Sequence, residues 1–351
     1  MDAVQRILDA NFNRAGEALR TIEEYARFVM DSSSLFERIK SVRHRLGEGR
    51  RRLETALGGA RLSAARDILG DVGKHGKTGS ELVREDARAV RDAAFRRAAE
   101  ALRALSEYGK TIDPGIAAEL EALRYETYAF ESIMQADNAI RGRLSRSLLY
   151  VLVTTEFCRA DPLTTTREAL AGGADIIQFR EKTMEDGEFH RLAGEMAALC
   201  RERDALLVIN DRPHIAVLTG ASGVHGGQGD LPVHLTRRLI GPERMIGCST
   251  SRPELAEKAL SDGADYIGVG PVYETATKAH RSAVGTEYVA WAAAWDKLPF
   301  FAIGSVNRGT IDSVIEAGAK RAAICTAVTM AQDVSAETAF FRERLILAKN
   351  R

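Results

Sequence analysis

The chain has 351 residues, of which 45% are apolar and 28% charged, with Lys+Arg and Asp+Glu balanced at 49 each. That length suits two domains, or one barrel with an extension, and the composition excludes extended disorder. Zero net charge removes any chain-wide electrostatic case for a nucleic-acid partner, so anion recognition has to be local. The four cysteines, Cys158, Cys200, Cys248 and Cys325, are scattered without a C-x-x-C pair, which argues against a zinc site or a disulfide framework. No apolar stretch approaches the roughly 20 residues of a membrane span, and the amino terminus lacks a signal-peptide apolar block. A cytoplasmic protein with no membrane partner is expected.

Residues 1–136 read as an all-α domain, with apolar residues at helical spacing. They contain an internal repeat. Asp9–Tyr25, DANFNRAGEALRTIEEY, aligns without gaps to Asp92–Tyr108, DAAFRRAAEALRALSEY. Identities include Asp9/Asp92, Phe12/Phe95, Arg14/Arg97, Glu17/Glu100, Leu19/Leu102, Arg20/Arg103, Glu24/Glu107 and Tyr25/Tyr108. A weaker echo sets Ile39, Val42 and Arg43 against Leu120, Leu123 and Arg124. Two repeated helical hairpins forming a four-helix bundle are predicted. The shared charges fit a salt-bridged face, in which Arg20–Glu24 at i,i+4 contributes only ~0.2–0.5 kcal/mol if exposed. Because both copies keep them, a pocket or a homo-oligomer surface at a pseudo-twofold axis stays open.

Between the copies, Gly70–Gly79, GDVGKHGKTG, invites a phosphate-loop reading, but Asp71 stands where that motif needs its first glycine. A loop joining the hairpins is expected instead. Residues 137–147, DNAIRGRLSRS, are polar and basic and read as a linker.

From residue 148 to 351 short apolar runs alternate with helical patterns. The runs are 148–154, 175–180, 206–211, 223–226, 244–249, 265–270, 299–304 and 321–326. Eight βα units in this length predict an α/β fold, a (β/α)8 TIM barrel, preceded by the all-α bundle. In such barrels the chemistry sits at the C-terminal strand ends, and there this chain keeps its unusual residues. Gln178, Arg180 and Lys182 follow the second run and suit a polar ring plus a polyphosphate. Asn210 and Asp211 end the third; His225, Gln228 and Asp230 follow the fourth. Taken alone, Asp211 and Asp230 read as helix N-caps, since Pro213 and Pro232 follow closely. Taken with the neighbouring cations they read as carboxylate ligands of Mg²⁺, an ion shared with substrate phosphates. Ser249 and Thr250 end the fifth run. Thr275, Thr277 and Lys278 lie in the loop after the sixth, where hydroxyls suit a monophosphate and the lysine a diphosphate leaving group. Gly304 and the Cys325-Thr326 turn occupy the seventh and eighth strand ends, a recurrent phosphate position in barrels.

The segments QFREK, INDR, GVHGGQGDLP, GCST, GADYIGVGPVYETATK and FAIGSVN occur in the order and spacing of thiamine phosphate synthases, and residues 148–345 resemble that family. The resemblance implies a transferase that joins 4-amino-2-methyl-5-hydroxymethylpyrimidine diphosphate to 4-methyl-5-(2-hydroxyethyl)thiazole phosphate and releases pyrophosphate. It implies small phosphorylated substrates and a dissociative course, in which a pyrimidine methylene cation is captured by the thiazole nitrogen. By position, Gln178, Arg180, Lys182, Asn210, His225, Ser249 and Lys278 would hold the pyrimidine diphosphate, with Arg180, Lys182 and Lys278 assisting its departure. Asp211 and Asp230 would hold Mg²⁺. Thr275, Thr277, Gly304, Cys325 and Thr326 would hold the thiazole phosphate. The chain departs from the family pattern at Ser251, Ser305 and Thr326. The N-terminal repeat resembles the helical extension of longer family members. The alternatives are a thiazole phosphate tautomerase-like barrel, which has no need of the diphosphate and magnesium set, and a non-catalytic phosphate-ligand-binding regulatory protein.

Overall fold

The computed structural model describes residues 2–30, 32–66, 84–274 and 282–349. The chain divides into two compact units, Met1–Gln135 and Ala136–Arg351. Gly70–Gly79 lies outside the described residues, as do Thr275, Thr277 and Lys278.

The first unit is built on α1 (Asp2–Phe28), α2 (Ser33–Ala56), α3 (Ala87–Gly109) and the greater part of α4 (Pro114–Arg146). The helix starts are specified locally. Ser32 accepts from the Leu35 N–H, Asp86 from the Ala89 N–H, and Asp113 from the N–H groups of Gly115 and Ile116, each satisfying donors that the first turn leaves open. Helix α1 packs on α2 and α3. The repeat's apolar positions coincide in one core, where Phe12 and Leu19 meet Phe95 and Leu102, all nearly fully buried.

The repeat's polar positions diverge. Arg20 pairs with Glu24 at 3.0 Å, as its spacing predicts, and also with Glu23 at 3.1 Å. Glu23 is buried and accepts from Arg43 at 2.7 Å. The position equivalent to Glu23 in the second copy is Ser106, whose hydroxyl bonds the Arg103 carbonyl instead. Asp9 is likewise buried beneath Arg50 (2.6 Å) and Arg66, whereas Asp92 pairs with its neighbour Arg91. Burial pushes the Asp9 carboxyl up, but the Arg66 and Arg50 guanidiniums outweigh it and hold the group below its ordinary 3.8.

The second unit is a closed barrel of eight parallel strands in sequential order. They are β1 (Leu149–Val153), β2 (Ile176–Phe179), β3 (Leu206–Asn210), β4 (Gly223–Gly226), β5 (Met245–Thr250), β6 (Tyr266–Val269), β7 (Phe300–Ile303) and β8 (Ala322–Ile324). Helices follow each strand: α5 (Pro162–Ala171), α6 (Asp186–Glu202), α7 (Pro213–Thr219), α8 (Val233–Ile240), α9 (Pro253–Ser261), α10 (Gly285–Trp295), α11 (Ile311–Glu316), and after β8 α12 (Thr326–Thr329) and α13 (Val334–Lys349). Alternate strand residues build two cores. Leu149, Val151, Ile177, Phe179, Ile209 and Val269 face the helices. Tyr150, Ile176, Leu206, Val208, Met245, Tyr266 and Phe301 fill the barrel interior.

Residues 137–147, expected as a linker, are not one. All but Ser147 lie in α4, and Leu144 joins the interior core with Ile140 packed against it. Arg141 bridges Asp137 and Asp265, both at 2.8 Å. Two aspartates pin the base of the barrel. Asp175, just before β2, accepts from the Leu148 and Leu149 N–H groups and pairs with Arg342 at 2.8 Å. Asp265, just before β6, accepts from the Ile246 N–H at 2.7 Å and from Arg237 and Arg141. Among the described residues no helix is long and apolar enough to cross a membrane.

Two outcomes follow for stability. A depressed folded pKa means that the stabilisation from Asp9 is fully present above its unfolded value of 3.8 and is lost as pH falls through its folded value. Acid titration of the thermal midpoint should show this loss below about pH 4 for the wild type, and Asp9→Asn should flatten it. A chain beginning at Ala136 should melt higher than one beginning at Ser145, because the latter lacks Leu144 and the Arg141–Asp265 ion pair. Burial of a leucine alone contributes roughly 1.5–3 kcal/mol.

Candidate active site

At the C-terminal end of the strands the interior opens into a cavity of about 1040 Å³, including its open mouth. Strand alternation aims its wall. Gln178 projects from β2, Asn210 from β3, His225 from β4 and Ser249 from β5, each on the inward parity. Arg180, Gly304, Cys325 and Thr326 join the same wall from positions just past their strands, so eight expected site residues share one cavity. Leu152, Phe157, Pro271, Ile303 and Val306 supply the apolar part. The sequence reading missed the two tyrosines at its floor, Tyr150 and Tyr266. Their signal was their inward parity on β1 and β6, which the apolar runs disguised as ordinary core.

Asp211 and Asp230 line a neighbouring cleft with Gly227, Gln228 and Lys258 rather than the main cavity. Burial raises the Asp211 carboxyl above its ordinary 3.8, and the adjacent Asp230 carboxylate adds to the rise against the opposing pull of Lys182. Lys182 forms an ion pair with Asp211. The helix-capping alternative is not realised. The N-cap of α7 is Arg212 and that of α8 is Pro232, neither with a side-chain cap bond. Asp230 instead accepts from the Gly227 N–H at 2.7 Å within its own loop. Asp211 adopts φ +60°, a left-handed conformation uncommon outside glycine, and such strain gathers at functional sites. Two adjacent carboxylates, one of them paired with a lysine, suit a hard cation bound through oxygen. Among the described residues no group of three or more His, Cys, Asp or Glu side chains gathers to hold a metal by protein alone.

The seventh strand end is specified by backbone. Gly304 sits at φ +111°, and a methyl there would come within 2.5 Å of Pro271 Cα. Ser305 follows at φ +49°, and its hydroxyl donates to the Glu274 carbonyl at 2.5 Å. That bond offsets part of the cost, about 1 kcal/mol, of a non-glycine in the left-handed region. Burial pushes the Cys325 thiol up to about 11, so at neutral pH it is a protonated wall residue and not a nucleophile.

Comparison with known proteins places both parts of the chain. Residues 149–328 match the thiamine monophosphate synthase family, and residues 6–133 match the ThiD2 family. A thiamine-phosphate synthase of Synechocystis is 42% identical over 93% of this chain and 92% of its own length. One from Rhodopirellula baltica is 42% identical over 93% and 88%. A thiamine phosphate pyrophosphorylase structure from Pyrococcus furiosus superposes with a TM-score of 0.55 at 32% identity, covering 59% of this chain and 98% of its own. The closed eight-stranded barrel, the composition of its mouth and this near-full-length similarity lead to one conclusion: the chain belongs to the thiamine monophosphate synthase family.

Proposed function

We propose that the barrel unit joins 4-amino-2-methyl-5-hydroxymethylpyrimidine diphosphate to 4-methyl-5-(2-hydroxyethyl)thiazole phosphate, giving thiamine phosphate and pyrophosphate. The observation that carries this reading is the placing of Lys182 against the Asp211–Asp230 pair, with a cavity lined by Gln178, Arg180, Asn210, His225 and Ser249 nearby. The cavity wall suits a polar ring, and the charged cleft suits a diphosphate.

The chemistry asks for departure of a highly charged group. The methylene C–O bond breaks with its electron pair going to pyrophosphate, and the thiazole nitrogen lone pair then forms the new C–N bond. The amino-substituted ring delocalises the positive charge in between. What the protein must supply is orientation and neutralisation of the leaving oxygens, in a site whose fixed charges need no reorganisation. Arg180 and Lys182 provide positive charge, with Lys278 in the same role by its place in the motif. A general base is not required, in keeping with the protonated Cys325.

The carboxylates of Asp211 and Asp230 would hold Mg²⁺, which when bound neutralises diphosphate oxygens. Lys182 would then turn from Asp211 to the substrate. Gly304, Cys325 and Thr326 on the cavity wall would hold the thiazole phosphate, with Thr275 and Thr277 in the same role by their place in the motif.

Purified protein supplied with both substrates and Mg²⁺ should release pyrophosphate in step with thiamine phosphate. The absence of release would overturn the reading. Asp211→Asn should lower kcat by about 100-fold or more while leaving the KM for thiazole phosphate near its wild-type value. Chelation of divalent ions should stop turnover reversibly, and a rate indifferent to chelator would remove the metal from the proposal.

A further inference from the structure

Across the floor of the cavity runs a continuous row of hydrogen-bonded side chains that the leaving-group chemistry does not use. Gln178 Nε2 donates to Tyr150 Oη at 2.7 Å. Tyr150 Oη lies 3.1 Å from Tyr266 Oη, and Tyr266 Oη lies 3.2 Å from His225 Nδ1. The other ring nitrogen, His225 Nε2, lies 3.0 Å from Ser249 Oγ. All five residues of the row line the cavity.

The space for it is built in. Tyr150 and Tyr266 are 2% and 0% exposed. Phe301 packs edge-on against both rings, at 5.2 and 5.7 Å between centroids. A methyl on Gly247 would overlap the Tyr266 ring and His225 Nδ1, so a glycine in the middle of β5, otherwise unfavourable in a strand, is what admits the pair. Burial raises both phenols above their ordinary value of 10.0, and each keeps its single proton.

Counting protons gives the row a direction. Tyr150 accepts from the Gln178 amide, so its own O–H is left for Tyr266. Tyr266 accepts that proton and spends its own on His225 Nδ1. A ring nitrogen that accepts carries no hydrogen, so the imidazole proton sits on Nε2 and is donated to Ser249 Oγ. Ser249 then has its hydroxyl hydrogen left to present to the cavity. At the opposite end Gln178 gives one of its two amide N–H groups to Tyr150, which fixes which way the amide faces. Its Oε1 has no partner among the described residues, and it remains an acceptor.

We infer that Tyr150 and Tyr266 are positioning residues which hold His225 in the Nε2–H tautomer, and so fix Ser249 as a donor and Gln178 as an acceptor toward the substrate ring. The inference rests on the synthase reading for the identity of that ring. An aminopyrimidine answers this polarity, since it offers amino hydrogens to an acceptor and ring-nitrogen lone pairs to a donor. A ring carrying oxo and N–H in their place reverses it and would leave both wall groups unpaired, at roughly 10–100-fold in binding for each mismatched bond.

The test begins without substrate. In the full chain labelled with ¹⁵N-histidine, long-range proton–nitrogen NMR at neutral pH reads the tautomer of each ring, and a His225→Gln sample identifies the His225 signals. The expected result is a protonated Nε2 and an unprotonated Nδ1. A proton on Nδ1 overturns the inference. Tyr266→Phe should mix the two tautomers and raise the KM for the pyrimidine diphosphate about tenfold, with the KM for thiazole phosphate unchanged. Should Tyr266→Phe fail to fold, Tyr150→Phe serves, since it removes the group that sets the direction. A folded variant that keeps the wild-type tautomer, or raises both KM values equally, shows a packing role and overturns the inference. Wild-type protein with the expected tautomer but no pyrophosphate release would sink the synthase reading and leave the tautomer assignment standing.

Discussion

A β-strand offers each residue to only one of two faces, and in a closed barrel one face has nowhere to point but the axis. This parity governs the whole second unit. Along β2 it sends Ile176 and then Gln178 inward; along β3, Leu206, Val208 and Asn210; along β5, Met245, Gly247 and Ser249. Climbing the axis, the lining therefore passes from aliphatic, through the buried phenols, to amide, imidazole and hydroxyl groups. Charge enters only once the chain has left the strands, at Arg180 and Lys182. A single-residue slip in any strand would exchange core for solvent-facing residues along its length. The same packing that stabilises the barrel thus sets which groups line its mouth.

Beyond the strands the backbone itself does the aiming. Asp211 and Ser305 both adopt left-handed conformations. The first turns a carboxylate toward Asp230 and Lys182, and the second ties its loop to the Glu274 carbonyl. Clustering two carboxylates is unfavourable without a cation. Lys182 supplies one, and its long, half-exposed stem leaves it able to exchange partners. A site arranged this way suits stabilising a leaving anion better than abstracting a proton, which agrees with family membership.

Much of this was legible in the sequence because buried parallel strands write themselves as short, bounded apolar runs. All eight runs correspond to strands, and eight of the expected site residues line one cavity, while Asp211 and Asp230 line the cleft beside it. What escaped depended on tertiary partners. The segment 137–147 reads as a linker because Arg141, Arg143 and Ser145 dominate it, yet Ile140 and Leu144, four apart, mark the helical face that reaches the barrel interior. Tyr150 and Tyr266 look like core aromatics until the hydroxyls are seen to meet across 116 positions of sequence. In the N-terminal repeat the apolar matches foretold the common core, but identical letters did not mean identical roles. Asp9 is buried under two arginines while Asp92 stays at the surface with one.

The two basal aspartates, Asp175 and Asp265, each end the same tripeptide, Gly-Ala-Asp, and precede β2 and β6. Going round the cylinder in either sense, three strands separate one from the other. Each clamps the start of a neighbouring strand and is itself anchored by arginine from an outer helix, Arg342 for one and Arg237 for the other. The ring is braced at diametrically opposed points, which resists its flattening into an oval. The bracing lies at the end of the barrel opposite the cavity, so the floor is fixed by ion pairs while the mouth is left to the loops.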